Sequence, residues 1–439
     1  MSLDGCGIAK ADGYTIFIKN AVIGDTVRVR VTKANRSYGF AVTEELITPS
    51  PDRISPTCAQ FGQCGGCQLM HLSYPKQLEW KAATVRANLR KIGGIAEEDY
   101  QFDGIIGAEK KLGYRNKTQF PVGRHKGQAV CGFYLSRSHQ IVPCTACGIA
   151  TPAANQAVEA ILSYINQNGI SVYDEATHKG LVRHIYIRDG GKELMAVIVA
   201  NSKKPLPHTE KLVEALSVLP QVKGIVQNVN TERTNVVLGK KNLLLWGNEQ
   251  IVMQACGLEF MLSPNSFFQV NTAQMERLYA RAAEYAQLSG TETVFDLYSG
   301  VGSISLYLAK KAGQVVGVEI VPDAVENARQ NALRNGIENV QFHCGDCAEV
   351  VERLLADGIR ANIVVVDPPR KGCDEALLSL IERIAPKRLV YVSCNSATLA
   401  RDAAWLKEHG YTMQRCSAVD MFPNTTHVET VVLLQRQNT

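Results

Sequence analysis

The run Asn362-Ile-Val-Val-Val-Asp367 is apolar at every position between its polar ends. A strand with one wet face alternates apolar and polar residues; one that is apolar on both faces must be covered on both, as parallel strands of an α/β sheet are. A rigid polar turn, Asp367-Pro-Pro-Arg370-Lys-Gly372, stops the run. Around it, from residue 274 to the C-terminus, helix and strand patterns alternate. A helix over 274–288 precedes strands at 293–297, 315–319, 340–346, 362–367, 388–393 and 425–434. This alternation predicts a Rossmann-like α/β domain with ligands at the carboxyl ends of its strands.

Those ends carry polar chemistry. The strand 388–393 runs straight into Cys394-Asn395, so its thiol is a candidate nucleophile. A small core cysteine at a strand end would read the same way. Asp296-Leu-Tyr298-Ser-Gly300-Val-Gly302 is a strand end, a glycine turn and a helix start. The glycines let a nucleoside cofactor approach the backbone, and the helix N-terminus favours negative charge. Glu319 closes the next strand, where an acid binds ribose hydroxyls. A nicotinamide-type turn would carry a third glycine where Ser305 stands. Asp346 ends the third strand, at the position of an adenine-edge contact, and Glu429 brings a carboxylate into the last one.

The chain of 439 residues is long enough for two or three domains. Its 46% hydrophobic and 20% charged content is that of a globular protein, and no apolar run approaches a membrane span of ~18 residues. With no export signal, the expectation is a cytoplasmic protein whose 13 cysteines divide between metal ligation, catalysis and burial. The net charge of +5 is concentrated: residues 76–137 hold 12 Lys and Arg against 6 Asp and Glu. That suggests a polyanion partner, although a solvated helix face looks similar.

Residues 1–49 read as a small OB-like β module. Val27, Val29 and Val31 alternate with Arg28 and Arg30, and short strands flank them at 14–18 and 38–42. It could serve single-stranded RNA or act as a spacer. Pro49, Pro51 and Pro56 mark a linker, followed by Cys58-x5-Cys64-x2-Cys67 with Cys144 and Cys147 as candidate fourth ligands. That spacing suits a [4Fe–4S] cluster better than zinc, which favours two Cys-x2-Cys pairs. A helix over 71–92 shows a basic face of Lys76, Lys81, Arg86, Arg90 and Lys91. Arg115 and Lys117 beside Tyr114 and Phe120 are a set suited to phosphates and splayed bases, or an ordinary cross-strand set. Strands at 181–188, 193–200, 223–230 and 234–239, with a helix at 209–219, predict an antiparallel α+β domain.

Several stretches together resemble one family. Tyr114-Arg-Asn-Lys117, Phe267-Phe-Gln269-Val-Asn271, Asp296-Leu-Tyr-Ser-Gly-Val-Gly302, Asp367-Pro-Pro-Arg-Lys-Gly372, Val392-Ser-Cys394-Asn395 and His427-Val-Glu429-Thr430 are similar, in order, to the RNA uracil-5-methyltransferases. These are class I S-adenosylmethionine-dependent enzymes. Within the family the chain resembles the iron–sulfur 23S ribosomal RNA branch, in its dual-site Gram-positive-type form. The resemblance implies that Cys394 adds to carbon-6 of uracil and that Glu429 takes the carbon-5 proton. It implies that Gln269, Tyr298, Glu319 and Asp367 hold S-adenosylmethionine, with Asp346 near its adenine and Asp296 and Gly300 in the cofactor turn. It assigns the cluster to Cys58, Cys64, Cys67 and Cys147. It also makes residues 1–49 a TRAM domain lacking its first strand, as though the chain began late. Residues 50–265 become the central cluster domain, whose 71–92 helix packs on a catalytic domain at 266–439. The expected partner is RNA, foremost 23S rRNA, with no membrane, and the expected state is a monomer.

Three rival readings stand beside this one. They are methylation of tRNA uridine, a non-catalytic iron–sulfur RNA-binding protein, and an amino-group methyltransferase suggested by Asp367-Pro-Pro. The last class places an aromatic residue where Arg370 stands.

Overall fold

The computed structural model describes residues 1–135 and 138–437, so Arg137, the last cation of the basic segment, lies outside the described residues. The C-terminal half is built on an eight-stranded sheet. Its order is Val340–Cys344, Gln314–Glu319, Thr293–Leu297, Ile363–Val366, Arg388–Ser393, Glu429–Arg436, Tyr411–Val419 and Gln101–Ile106. Every pairing is parallel except the two made by Glu429–Arg436. The fully apolar run lies at its centre, and alternate side chains enter opposite cores. Val364 and Val366 pack with the helices Cys347–Ala356, Glu375–Ile384 and Ser396–Glu408. Ile363 and Val365 pack with Thr272–Ala286, Ser303–Ala309 and Pro322–Arg334. Coverage on both faces is why no polar residue interrupts that strand.

Two elements join this layer from far upstream. The strand Gln101–Ile106 hydrogen-bonds along Tyr411–Val419 as the sheet's last strand. The helix Tyr74–Lys91 places Val85 and Leu89 in the same core as the strand residue Tyr391. Its expected basic face needs correcting at one position: Lys81 is fully buried and paired with Asp420, Nζ to Oδ1 2.5 Å. Periodicity assigns a lysine to solvent unless a buried acid awaits it, and the acid lies 339 residues away.

The central sheet has seven strands, ordered Lys241–Gly247, Val222–Val229, Leu194–Ala200, Val182–Asp189, Lys117–His125, Gln128–Tyr134 and Ile141–Pro143. It is antiparallel apart from the pair Leu194–Ala200 and Val222–Val229, which the helix Thr209–Ser217 connects by a crossover. Residues 234–239, expected as a strand, form bends instead. Their carbonyls turn inward, Val236 O and Val237 O accepting from Asn230 Nδ2 and Thr234 O accepting from Arg183 Nη2. Tyr114 and Phe120 are buried, so neither is a stacking platform.

Residues 7–48 form a four-stranded sheet, ordered Gly7–Ala11, Tyr14–Lys19, Tyr38–Thr48 and Thr26–Ala34, with the first and last at open edges. Val27 and Val29 are half-buried, whereas Val31 is 51% exposed beyond the small core. Arg28 and Arg30 are matched by Glu45 and Glu44, which neutralises the expected cationic face. The module is tied down by Asp25, whose buried carboxylate accepts from Arg53 Nη2 at 2.6 Å and from the backbone N–H groups of Val22 and Ser50. Among the described residues, no helix is long and apolar enough to cross a membrane.

Candidate active site

Ser393 and Thr430 are the last pair of the ladder joining strands Arg388–Ser393 and Glu429–Arg436. The next residue outward on each strand is Cys394 on one side and Glu429 on the other, so the two are neighbours at the carboxyl edge of the sheet. Asn395 Oδ1 then caps the following helix by accepting from Ala397 N at 3.1 Å, which fixes the turn that carries Cys394. Glu429 is 2% exposed and its Oε2 has no partner. Removal from water, reinforced by the charge of Asp367 and opposed by Arg370, pushes its carboxyl up to about 8. Burial pushes the Cys394 thiol up to about 11, with Glu429 and Asp367 adding to it and Arg370 again opposing. Asp367 itself rises to about 7, through burial and the nearby Asp296.

One cation faces this acidic group. Arg370 has its backbone carbonyl held by Asn395 Nδ2 at 3.1 Å and Thr398 Oγ1 at 3.3 Å. Its Nη2 lies 3.5 Å from His427 Nε2. Burial, then Arg370, Lys81 and Arg115, drive His427 down to about 4, so it is neutral at ordinary pH. Arg370 was not singled out as a site residue from the sequence, although its place in the Asp367-Pro-Pro-Arg370 turn was a usable signal.

The glycine turn lies along the same edge. Glu319 accepts from Gly300 N at 3.0 Å and from Val321 N at 2.9 Å, joining two strand ends through one carboxylate. Gly302 has φ +81°, and a Cβ there would stand 2.7 Å from Phe342 Cζ, so only glycine lets the helix begin so close to its neighbour. Tyr298 also has a positive φ, 84°, a costly conformation for a bulky residue and one that clusters at functional sites. Asp296 is buried beneath the turn, with Oδ2 accepting from Ser305 Oγ and Oδ1 unpartnered, and burial raises it to about 6. Asp346 Oδ1 caps the helix Cys347–Ala356 by accepting from Ala348 N at 2.8 Å. Gln269 is 7% exposed, and its backbone carbonyl accepts from Asn116 Nδ2 at 2.9 Å. These groups offer acids for ribose hydroxyls and a close backbone for a nucleoside, with an acidic rim that suits a cation such as a sulfonium.

The segment 420–426, which leads into Glu429, is pinned from several directions. Lys81 Nζ donates to Asp420 Oδ1 and to Phe422 O at 3.0 Å, and Tyr74 Oη donates to Asp420 Oδ2 at 2.8 Å. Tyr114 Oη donates to Pro423 O at 3.0 Å, and Gln77 exchanges hydrogen bonds with Asn424. The backbone N–H groups of Gln68 and Leu69 both donate to Asn424 O, at 3.0 and 2.9 Å.

Gln68 immediately follows Cys67, so the cysteine-rich loop abuts the segment that leads into the strand Glu429–Arg436. Among the described residues no group of three or more His, Cys, Asp or Glu is disposed to hold a metal ion. The expected set of Cys58, Cys64, Cys67 and Cys147 is therefore not a formed metal site in this structure. The thiols do share one region: Cys67 is raised to about 12 by burial and then by Cys147, Cys64 and Cys58. Gly66 N donates to Cys64 Sγ at 3.3 Å. Cys144 lies in the same region, raised to about 12 by burial and then by Cys147, Cys58 and Cys64. A cleft of ≈ 980 Å³ connects this loop, including Cys64 and Cys67, with Phe17, Tyr38 and Phe40 of the N-terminal sheet and with His427.

The sheet order, the glycine turn with its two flanking acids and the reactive edge define a class I S-adenosylmethionine-dependent methyltransferase fold preceded by an RNA-binding type of β module. Residues 210–437 match the family described as tRNA (Uracil-5-)-methyltransferase, and residues 2–43 match the TRAM domain. An uncharacterised RNA methyltransferase of Clostridium tetani is 44% identical over 437 residues, 99% of this chain and 94% of that protein. One of Halalkalibacterium halodurans is 45% identical over 438 residues, 99% and 95% of the two chains. The crystal structure of Pyrococcus abyssi tRNA (uracil-54, C5)-methyltransferase in complex with S-adenosyl-L-homocysteine superimposes with a TM-score of 0.76, at 28% identity and over 98% of each chain. The chain belongs to the tRNA (uracil-5-)-methyltransferase family and is an RNA methyltransferase.

Proposed function

We propose that the protein methylates carbon-5 of a uridine in 23S ribosomal RNA, in the cytoplasm, through a covalent bond between Cys394 and carbon-6. The observation that carries this reading is the meeting of Cys394 and Glu429 at the end of one antiparallel ladder, beside the glycine turn. Uracil carbon-5 is too weak a nucleophile to take a methyl group unaided. Cys394 gives up its S–H proton to solvent, and addition of the resulting thiolate to carbon-6 moves the electron pair of the ring's double bond toward carbon-5 and the neighbouring carbonyl. S-adenosylmethionine, bound along Gln269, Tyr298, Gly300, Glu319 and Asp367 with Asp346 and Asp296 nearby, supplies the electrophilic methyl group. Glu429 as carboxylate then takes the carbon-5 proton, the double bond reforms and the sulfur leaves. Arg370 offsets negative charge on the thiolate side.

The test uses the intact protein with 5-fluorouridine-containing fragments of 23S rRNA and, separately, of tRNA spanning position 54. Fluorine at carbon-5 cannot leave as a proton does, so the covalent complex persists and adds the RNA mass to the protein. We expect the adduct with the 23S fragment and its loss in Cys394→Ser; an adduct confined to the tRNA fragment would transfer the reading to tRNA. Absence of both adducts would overturn the covalent mechanism.

We further propose that Cys58, Cys64, Cys67 and Cys147 hold a [4Fe–4S] cluster. Four thiols that act on one another, with a backbone N–H already directed at Cys64 sulfur, support this reading, and a cluster spreads its ligands wider than a single ion does. The group would supply a rigid clip for the Gln68–Asn424 contact. Anaerobically purified protein should contain iron and acid-labile sulfide and no stoichiometric zinc; zinc instead would replace the cluster in this proposal.

A further inference from the structure

Across the ladder of strands Lys117–His125 and Val182–Asp189, Lys117 stands directly opposite Arg188. Like charges so placed repel each other. Arg188 is 1% exposed; its Nη2 donates to Tyr186 Oη at 2.6 Å and to Ser266 O, while Nε and Nη1 have no partner at all. Lys117 is half-buried, and burial followed by the charges of Arg188 and Arg115 drives it down to about 8. Among the described residues no carboxylate pairs with Lys117, Arg115 or Arg188. The adjacent acid cannot serve, because Asp189 points to the other face and is taken up by Thr151 Oγ1 and Gly191 N. A buried arginine with two unpartnered donors, set against a half-buried lysine, is costly in a folded protein unless an anion offsets the charge.

The surroundings indicate which anion. Lys117 Nζ lies 5.5 Å from the centre of the Phe267 ring, and Phe267 is 63% exposed, the kind of open ring on which a base stacks. Arg188 holds the backbone at Ser266 and Asn116 holds it at Gln269, so the cations underlie the turn that borders the cofactor site. Arg115 Nε donates to Lys117 O at 2.9 Å, and its charge is felt at His427 beside the reactive edge. A phosphate and an aromatic face side by side are what one nucleotide of a single strand needs.

We propose that Lys117, backed by Arg188 and bordered by Phe267, seats one phosphodiester of the RNA, adjacent to the base presented to Cys394. This rests on the RNA-methyltransferase reading and names a contact within it. A second source of the same oxyanion chemistry is the amino-acid carboxylate of the cofactor, and the two are separable.

Full-length wild type, Lys117→Gln and Lys117→Arg are titrated with a fluorescein-labelled oligouridylate between about 50 and 200 mM salt, and each with S-adenosylhomocysteine by calorimetry. For Lys117→Gln the log–log salt slope should fall by about 0.7, the increment for one phosphate on a single strand. Lys117→Arg should keep the slope, and S-adenosylhomocysteine affinity should be the same in all three. Because Lys117→Gln removes a like-charge opposition, it should melt no lower than wild type. An unchanged slope in Lys117→Gln overturns the proposal, and so does a loss of S-adenosylhomocysteine affinity with the slope intact, which would assign the anion to the cofactor. Phe267→Leu, at an exposed position, should weaken oligouridylate binding several-fold with the slope preserved; unaltered binding overturns the bordering role. Adduct formation by wild type on 5-fluorouridine RNA reports the underlying activity separately, so failure of the phosphate seat and failure of that reading give different results.

Discussion

Glu429 is the residue whose environment most shapes the expected behaviour of the enzyme. Its folded-state value of about 8 lies above the ordinary 4.5, so the folded protein binds that proton more tightly than the unfolded chain does. The resulting stabilisation is complete below pH 4.5 and is lost as pH rises through about 8. Glu429→Gln keeps the shape and removes the titration, so above that pH it should melt higher than wild type by differential scanning calorimetry. It should also stop turnover while allowing methylated covalent adduct to accumulate on ordinary uridine RNA, visible by mass spectrometry. Activity should have the opposite pH sign. In the proposed reaction Glu429 acts as base only when ionised, so kcat/KM measured under cofactor-limited conditions should climb through an acid limb near about 8. At saturating S-adenosylmethionine that limb should move down, because a cation in the pocket favours ionised Glu429 and Asp367.

Among elements, the segment 420–426 has little regular structure and many fixed points. Lys81 on the helix Tyr74–Lys91 ends on Asp420 with both side chains fully buried. Removing one partner of such a pair strands the other charge and costs about 3–5 kcal/mol. Lys81→Met should lower the urea midpoint accordingly and reduce kcat, since the segment sets where Glu429 enters its strand; Lys81→Met with Asp420→Leu should recover most of the stability. The amphipathic pattern of that helix was legible in the sequence, but this lysine was not. Hydropathy periodicity reports which face is apolar; it has no term for an acid brought up by another part of the chain. The expected strand at 234–239 went astray for a related reason, because buried Asn230 and Arg183 draw its carbonyls out of any ladder.

Over the whole molecule, the N-terminal sheet shares one cleft with the cysteine-rich loop and with Thr426 and His427, which precede Glu429. Phe17 and Phe40 stack at 5.6 Å between ring centres, with Tyr38 edge-on at 6.1 Å from Phe17 and 41% exposed. These rings line the cleft and offer faces of the kind on which bases stack. Tyr38→Ala should weaken binding of a long RNA fragment by about 1–3 kcal/mol, the value of one stacked base, and leave S-adenosylhomocysteine affinity unchanged. What the sequence by itself determined is local and periodic: a buried parallel strand from an unbroken apolar run, a glycine turn from residues that tolerate positive φ, and a thiol and an acid placed at strand ends. What only the tertiary structure decided is which distant residues meet. It set Arg188 against Lys117, Asp420 against Lys81 and the strand Gln101–Ile106 on the catalytic sheet. Charge opposition and burial depend on through-space neighbours, and a chain read in order does not contain them.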